Sequence, residues 1–196
     1  MLLNRLEYYL MNNPVRAGIQ RWIEGPTMRR LGGPLPGPRV LELGCGRGAG
    51  VPVIRQCFPG AEVDAFDLDR RMVELARRRV APPVGRLWVS DASRLPLRSA
   101  YYDAVFDFGI LHHVPDWRAA VGEIGRVLRP GGRLYAEEVL ADLADHPLIR
   151  AFFAHPRGDR FTSAAFEVGL GNAGLRLKAR KAIGRSFAWF VAEVSV

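Results

Sequence analysis

Cysteine and histidine are scarce in this chain of 196 residues, which holds only two of the first and four of the second. Cys45 and Cys57 are too few for a disulfide framework. They form no C-x-x-C pair and no histidine cluster accompanies them, so the spacing typical of a metal site is missing. We therefore predict reduced thiols, with Cys45 present as a small residue, and no metal.

Long apolar runs are also missing. The first ten residues, MLLNRLEYYL, place polar side chains every two or three positions among the apolar ones. A membrane span needs about 20 mostly apolar residues, and a signal peptide needs an unbroken apolar core. We therefore expect a cytoplasmic protein. The length and a hydrophobic content of 48% suit a single domain with a substantial core.

Lysine is nearly absent. Lys178 and Lys181 are the two lysines among 28 basic residues, which outnumber 20 acidic residues and give a net charge of +8. This balance suits binding to nucleic acid or to an anionic lipid surface, but an arginine-rich composition produces it as well. The arginines are scattered along the chain, which favours a solvated surface. Nucleic-acid binding is therefore not favoured, and peripheral membrane contact stays open.

The stretch that bears most directly on function is rich in glycine. An apolar run of strand type at 40–43 is followed by glycines at positions 44, 46, 48 and 50. Glycine allows the backbone to turn tightly and a ligand to approach its N–H groups. A helix predicted at 51–58 begins directly afterwards, and a helix N-terminus directs free N–H groups at whatever the loop holds. The stretch therefore predicts a cofactor loop.

Taken alone, this loop fits two cofactors. Gly44, Gly46 and Ala49 satisfy the G-x-G-x-x-G/A pattern of dinucleotide sites. Asp67 follows about 20 residues later, where such sites carry a ribose-binding acid. Glu42, which precedes the first glycine, points to a different class of loop.

Two acids follow neighbouring predicted strands. Asp67 ends the strand predicted at 61–67, and Asp91 follows the strand predicted at 86–89. Because ligands of doubly wound α/β sheets bind outside the carboxyl ends of the strands, both acids are expected at the site. The carboxylate of Asp67 can accept hydrogen bonds from two ribose hydroxyls. Asp91 has a turn-forming role as its alternative, and Asp69 is interpreted as a helix N-cap.

Four segments resemble, in the right order, the landmarks of the class I S-adenosylmethionine-dependent methyltransferases. They are E-L-G-C-G-R-G at 42–48, D-A-S-R-L-P at 91–96, D-A-V-F-D-F-G-I-L-H-H-V-P-D at 103–116 and L-R-P-G-G-R-L at 128–134. The small methyltransferases of quinone biosynthesis are the type that the chain resembles. A nicotinamide enzyme has no requirement for the second of these segments.

The resemblance implies a fold and a cofactor. The fold is α/β, a Rossmann-like, doubly wound sheet of seven strands, mostly parallel, with an antiparallel C-terminal hairpin from strands predicted at 175–183 and 187–196. The cofactor is S-adenosylmethionine, which leaves as S-adenosylhomocysteine. The residues that the resemblance assigns to it are Glu42, Gly44, Cys45, Gly46, Asp67, Leu68, Asp91, Ala92 and Phe108. Among these, Asp91 and the backbone of Ala92 would bind the adenine, and the glycines would hold the methionine portion.

Residues 1–38 precede the segments that resemble the family. Apolar spacing predicts a helix within 2–11 and a second one that begins at Asn13–Pro14 and ends at Gly25–Pro26. Val15, Ile19, Trp22 and Ile23 are expected on one face of the second helix. We interpret 1–38 as a helical segment ahead of a methyltransferase domain at 39–196. It either covers the active site as a lid, with Tyr8, Tyr9 and Trp22 as contacts, or packs on the sheet edge.

No catalytic residue is assigned. A sulfonium methyl group is already electrophilic, and orientation alone contributes ~7–11 kcal/mol to a transfer. If the acceptor is a hydroxyl or an acidic carbon, a base is needed, and the candidates are His112, His113, Tyr101 and Glu138. The histidine pair has packing at a strand–helix junction as its alternative role. His146 and His155 lie in the stretch 139–160, which matches no segment of the family and is expected to bear on acceptor recognition.

Three functions are compatible with these observations. The first is methyl transfer to a small-molecule or lipid-like acceptor. The second is methylation of a nucleic acid or of a membrane-bound acceptor, which the positive charge and the apolar N-terminal helices favour. The third is a nicotinamide-binding Rossmann protein. The oligomeric state has no signal in the sequence.

Overall fold

The computed structural model describes residues 13–82, 85–144 and 160–195. The predicted helix at 2–11 with Tyr8 and Tyr9, and also His146 and His155, lie outside the described residues. The helical elements are α1 (Pro14–Ile19), a π-helical turn (Gln20–Glu24), α2 (Gly25–Gly32), α3 (Gly50–Cys57), α4 (Arg70–Arg79), a 3₁₀ turn (Leu111–His113), α5 (Trp117–Val127), α6 (Ala141–Ala144) and α7 (Ser163–Asn172). The strands are β1 (Arg39–Leu43), β2 (Glu62–Asp67), β3 (Leu87–Val89), β4 (Tyr102–Phe108), β5 (Leu128–Val139), β6 (Leu175–Ile183) and β7 (Phe187–Val194).

The strands form one seven-stranded sheet in the order β3-β2-β1-β4-β5-β7-β6. Strands β1 to β5 pair in parallel, whereas β7 runs antiparallel between β5 and β6. The predicted Rossmann-like sheet with an antiparallel C-terminal hairpin is therefore confirmed. The strand order reverses between β1 and β4, which is the point of such a sheet where a crevice opens for ligands.

Both faces of the sheet are covered, because its central strands send apolar side chains to both sides. Along β1, Val40 joins a core cluster with residues of α2, α3 and α4, whereas Leu41 joins a second cluster with residues of α5 and α7. All seven side chains of β4 are buried. This arrangement is the doubly wound architecture that the sequence predicts.

The helix after residue 13 begins as predicted but ends later. The side chain of Asn13 accepts a hydrogen bond of 2.9 Å from the backbone N–H of Arg16, and Pro14 follows as the first helical residue. The predicted end at Gly25–Pro26 is wrong, since α2 continues to Gly32. Proline is tolerated in the first turn of a helix because its missing N–H needs no partner there. Gly25 serves close packing instead, since a Cβ atom would lie 2.5 Å from a methyl group of Val53.

The apolar residues of this helical segment share one face, as predicted, but that face is exposed. Its large apolar side chains point to solvent, with exposed fractions of 71% for Val15 and 68% for Trp22. The buried residues are Glu24 and, within α2, Gly25, Thr27 and Met28. Apolar spacing identified an amphipathic helix, but an ion pair rather than an apolar stripe holds its first turns to the sheet.

Strand β5 contains a bulge near its start. The Pro130–Gly132 turn expected before the fifth strand is a bulge inside it. Tyr102 pairs with Leu128 and Ala104 already pairs with Arg133, and Gly131 has φ of 73°.

In the part of the chain that the structure describes, no helix is long and apolar enough to cross a bilayer.

Candidate cofactor and acceptor site

A cavity of about 770 Å³ opens at the carboxyl ends of β1, β2, β3 and β4. Helix α1 borders it on the opposite side, through Asn13, Arg16, Ala17 and Gln20. All nine residues that the resemblance assigns to the cofactor line this one cavity. Its size lies within the range of about 300–1,000 Å³ that is usual for small-molecule sites.

The glycine loop forms one wall of the cavity. Gly44, Gly46 and Gly48 have φ of 57°, 52° and 84°, in the left-handed region that favours glycine. At Gly46 a Cβ atom would meet no atom within 4 Å, so this stretch of backbone faces open space. At Gly48, a Cβ atom would lie 2.5 Å from a methyl group of Val80, so here glycine permits close packing against the end of α4.

Asp67 lies beside this loop at the end of β2. One carboxylate oxygen accepts a hydrogen bond of 2.9 Å from the N–H of Gly46, and the other accepts one of 2.8 Å from the N–H of Asp69. Burial raises the pKa of Asp67, and the two N–H donors oppose that rise. Each carboxylate oxygen has a second lone pair, so both can still accept a bond from a ligand. Asp69 is the N-cap of α4, as predicted.

Glu42 forms the floor of the cavity. It is buried, and a Cβ atom on Gly50 would collide with its Oε1. Its Oε2 has no hydrogen-bond partner among the described residues. Burial, with a smaller contribution from the charge of Asp67, raises its pKa to about 8. An unpartnered buried carboxyl oxygen is costly, so it marks a place where a donor or a cation from a ligand would be stabilising.

The remaining predicted cofactor residues surround the same space. Asp91 uses Oδ1 to accept bonds of 2.8 Å from the N–H and 2.7 Å from the hydroxyl of Ser93, so it forms the turn and also lines the cavity. Ala92 and Phe108 are buried apolar walls, and Leu68 is 43% exposed at the rim. Burial raises the pKa of the Cys45 thiol, so this side chain stays protonated.

An ion-pair cluster, which we call the Arg16 clasp, joins the N-terminal helix to the sheet and was not predicted. The guanidinium of Arg16 contacts the carboxylate of Glu24, lies 2.8 Å from Oε1 of Glu137, and donates to the carbonyl of Phe108 at 3.3 Å. Burial disfavours the charged guanidinium, but the two carboxylates outweigh burial and raise its pKa. The clasp therefore attaches the helix to the ends of β4 and β5.

The two acids of the Arg16 clasp share one cation. Burial raises the pKa of both Glu24 and Glu137, and the charge of Glu24 raises that of Glu137 further. Because one guanidinium neutralises one carboxylate, protonation of either glutamate leaves the clasp without net charge. The sequence did carry one signal for this cluster, because two consecutive glutamates, Glu137 and Glu138, end a buried strand. Buried carboxylates need a cationic partner, and the strand itself supplies none there.

The candidate bases separate into two groups. Among the described residues that line the cavity, His113 is present, whereas His112, Glu138 and Tyr101 are not. Oε2 of Glu138 lies 2.6 Å from Nδ1 of His112, and its carboxylate also accepts hydrogen bonds from the backbone N–H groups of Leu111 and His112. Burial raises the pKa of Glu138 to about 7. Glu138 therefore holds the 3₁₀ turn from behind, and the turn presents His113 to the cavity.

The residues of the cavity fit S-adenosylmethionine. The ligand carries a sulfonium and an ammonium, and the acids Glu42, Asp67 and Asp91 meet in one cavity. Its adenine is apolar on both faces, and Leu68, Ala92 and further apolar side chains supply matching walls. The unpartnered oxygen of Glu42 is the observation that most directly calls for a donor or a cationic group from a ligand. In the described residues, no group of three or more His, Cys, Asp or Glu is arranged to hold a metal ion.

Comparison with known proteins agrees with this geometry. Residues 41–136 match the family model of a methyltransferase domain. A ubiquinone/menaquinone biosynthesis C-methyltransferase of Desulfotalea psychrophila is 30% identical over 151 residues, which cover 76% of this chain and 61% of that protein. A malonyl-[acyl-carrier protein] O-methyltransferase of Hahella chejuensis is 36% identical over 102 residues, which cover 52% of this chain and 36% of that protein. The chain thus spans less than two thirds of the length of either relative.

Solved structures share the fold over nearly the whole chain. The structure of an S-adenosylmethionine-dependent methyltransferase from Aquifex aeolicus matches with a TM-score of 0.73 at 20% identity, over 95% of this chain and 96% of that one. The seven-stranded sheet, the glycine loop and the acids at successive strand ends are those that the sequence resemblance implies. The chain belongs to the class I S-adenosylmethionine-dependent methyltransferases.

Proposed function

We propose that the protein transfers the methyl group of S-adenosylmethionine to a small-molecule or lipid-like acceptor. The observation that carries the proposal is a single cavity that joins the three acids at its floor and wall to a compartment bounded by α1 and residues 109–116. When bound, the cofactor supplies an electrophilic methyl group on a sulfonium. The chain itself then has to orient the acceptor in line and exclude water.

In the cofactor half, we assign roles to three acids. Asp67 accepts hydrogen bonds from the ribose hydroxyls, and its bond from the N–H of Gly46 keeps the loop beside it. Asp91 and the backbone of Ala92 hold the adenine. Glu42 faces the positive charge of the methionine portion, because its free oxygen has no other donor among the described residues.

In the acceptor half, the lining is mixed. Ala17, Ile110 and Val114 are apolar, whereas Gln20 and His113 offer polar groups. Asn13, Arg16 and Asp116 add further polar groups. A compartment that combines apolar walls with polar groups suits an acceptor with a hydrocarbon body and a nucleophilic atom. His113 is the histidine positioned to accept a proton from that atom, provided that the acceptor requires a base.

We further propose that the segment 13–32 is a lid. The Arg16 clasp holds α1 across the cavity at the ends of β4 and β5, while Asn13, Ala17 and Gln20 line the cavity. Closure by this segment would exclude water from the sulfonium and complete the acceptor compartment. By name, one of the two curated relatives is a C-methyltransferase of ubiquinone/menaquinone biosynthesis and the other is an O-methyltransferase of malonyl-[acyl-carrier protein].

Nucleic acid is the less favoured acceptor. Several arginines are neutralised by acids, among them Arg86 with Asp64 at 2.8 Å and Arg126 with Glu123 at 2.7 Å. The positive charge is thus dispersed into local pairs, and a continuous basic groove is the feature that polyanion recognition needs.

The proposal is tested by incubating the purified protein with S-adenosylmethionine labelled in its methyl group. The acceptor panel contains hydroquinones, phenols, fatty acids and acyl-carrier thioesters of dicarboxylic acids, with a mixed RNA as comparison. We expect label in an organic-soluble product. Transfer to RNA alone would overturn the acceptor class, and no cofactor turnover with any acceptor, together with no cofactor binding, would overturn the proposal.

A further inference from the structure

The helical segment 13–32 carries a second face that the cavity does not use. Val15, Ile19, Trp22 and Ile23 are exposed to 71%, 39%, 68% and 52%. Their spacing of four, three and one residues places them on one side of a helix. Four large apolar side chains exposed within nine residues form a continuous patch, which we call the outer face. Isolated exposed apolar residues are ordinary, but a contiguous patch indicates an interaction surface.

The charges beside the outer face have one sign. Arg21 and Arg30 are exposed and Arg29 is half-buried. Glu24 is the acid of the segment 13–32, and it is buried in the Arg16 clasp. The exposed charges of this segment are therefore all positive, and a partner has to be apolar and anionic.

One contact ties the apolar and cationic groups together. The guanidinium carbon of Arg21 lies 5.1 Å from the centre of the Trp22 ring. Tryptophan and arginine are the side chains that interfacial helices place at the boundary between acyl chains and headgroups. An arginine above a tryptophan can pair with a lipid phosphate while the ring enters the boundary.

We propose that the outer face docks on an anionic lipid bilayer. Apolar side chains enter the boundary region, and Arg21 and Arg30 contact the headgroup phosphates. A second copy of the chain is a poorer occupant. A symmetric contact would oppose the arginines of one copy to those of the other, with no exposed acid of the segment to neutralise them.

The outer face bears on the cavity because both belong to the same helix. Arg16, Ala17 and Gln20 line the cavity while Val15, Ile19 and Trp22 are exposed. Docking therefore brings the bilayer to the rim of the acceptor compartment, and a lipid-like acceptor enters from the membrane. This last consequence rests on the proposed function, whereas docking itself does not.

The test measures flotation of the full chain with vesicles in a density gradient. Vesicles of phosphatidylcholine alone are compared with vesicles that also contain phosphatidylglycerol. The variants are Trp22→Ser/Ile23→Ser and Arg21→Gln/Arg30→Gln. Matched controls are Val168→Ser/Ile183→Ser, at exposed apolar sites on α7 and β6, and Arg176→Gln on β6. All of these side chains are exposed or partly exposed, so the variants should fold, and the melting temperature checks this.

We expect the wild type to float with the anionic vesicles and to be released as salt is raised. Each outer-face double variant should bind roughly tenfold or more weakly, while the controls bind like the wild type. Absence of wild-type flotation, or equal losses in the controls, would overturn the proposal. A dimer that Trp22→Ser/Ile23→Ser converts to a monomer, with vesicle binding unchanged, would assign the face to a second copy and equally overturn it.

The two proposals fail separately. Binding of S-adenosylhomocysteine is measured for every variant by calorimetry, and it should be unchanged because none of the substituted residues lines the cavity. Flotation without cofactor binding would overturn the proposed function and leave the docking proposal intact. Cofactor binding without flotation would do the reverse.

Discussion

Removal of the Arg16 guanidinium is the perturbation whose effect follows most directly from the structure. Arg16→Gln leaves Glu24 and Glu137 buried, with exposed fractions of 3% and 1%, and takes away the cation between them. Breaking a buried ion pair by removing one partner typically costs about 3–5 kcal/mol. This free-energy cost favours whichever conformational change exposes the two carboxyl groups to water most easily.

The easiest relief is detachment of the helix. Glu24 belongs to the helical segment, so opening of that segment hydrates both carboxyl groups without unfolding the sheet. Arg16→Gln should therefore speed amide exchange in residues 14–24 by on the order of a hundredfold or more at pH 8. Because burial raises the pKa of both acids, they become neutral as the pH falls, and the loss of protection should be much smaller near pH 5.5.

The assay is hydrogen exchange by mass spectrometry at both pH values, expressed as the ratio of variant to wild-type protection. Arg21→Gln is the matched control, since Arg21 is exposed in the same helical segment. A triple variant that replaces Arg16, Glu24 and Glu137 with glutamine should regain most of the protection, because no charge stays buried. Unchanged protection of 14–24 in Arg16→Gln at pH 8, or a loss spread evenly over the sheet, would refute the reasoning.

Three further predictions concern the cofactor half. Asp67→Ala removes a charged acceptor worth ~1.5–3 kcal/mol per hydrogen bond, so calorimetry with S-adenosylhomocysteine should show affinity lower by roughly 10–100-fold, and an unchanged value would remove Asp67 from the site. Gly46→Val should lose binding, because its side chain would enter the open space beside the loop and a branched residue strains a backbone with φ of 52°. Gly46→Ala, which has no branch, should retain part of the binding, and the melting temperature of both variants checks that they fold. Burial raises the pKa of Glu42 from an ordinary 4.5 to about 8, so between those values the native state keeps the proton while the unfolded state ionises. Rising pH therefore lowers the free energy of unfolding by about 1.4 kcal/mol per pH unit across that window. Denaturation of Glu42→Gln should lack this decline, and parallel pH profiles for variant and wild type would contradict the burial argument.

The sequence predicted the fold because parallel strands and their ends have a plain signature. Buried strands read as apolar runs, and acids such as Asp67 and Asp91 directly after them mark the sheet edge where ligands bind. The glycine loop needed no tertiary information, since its left-handed residues at 44, 46 and 48 are set by local backbone geometry. Those features bring the predicted cofactor residues together around one cavity.

The acceptor half of the cavity could not be predicted from the sequence, for a physical reason. Arg16 and Glu137 are 121 residues apart, and no periodicity relates a helix to the strand end on which it docks. Apolar spacing therefore grouped Val15 and Trp22 on one face but did not show where that face points, because a buried ion pair decides which side of the helix meets the sheet. Likewise, the histidine pair gave no sign that Glu138 would hold His112 and leave His113 at the cavity.

Binding calorimetry with S-adenosylhomocysteine and with NADH on the wild-type chain is the most direct test of the central claim. We predict one site per chain for S-adenosylhomocysteine, with binding strongly weakened in Asp67→Ala, and no measurable heat with NADH. Binding of NADH without binding of S-adenosylhomocysteine would contradict it.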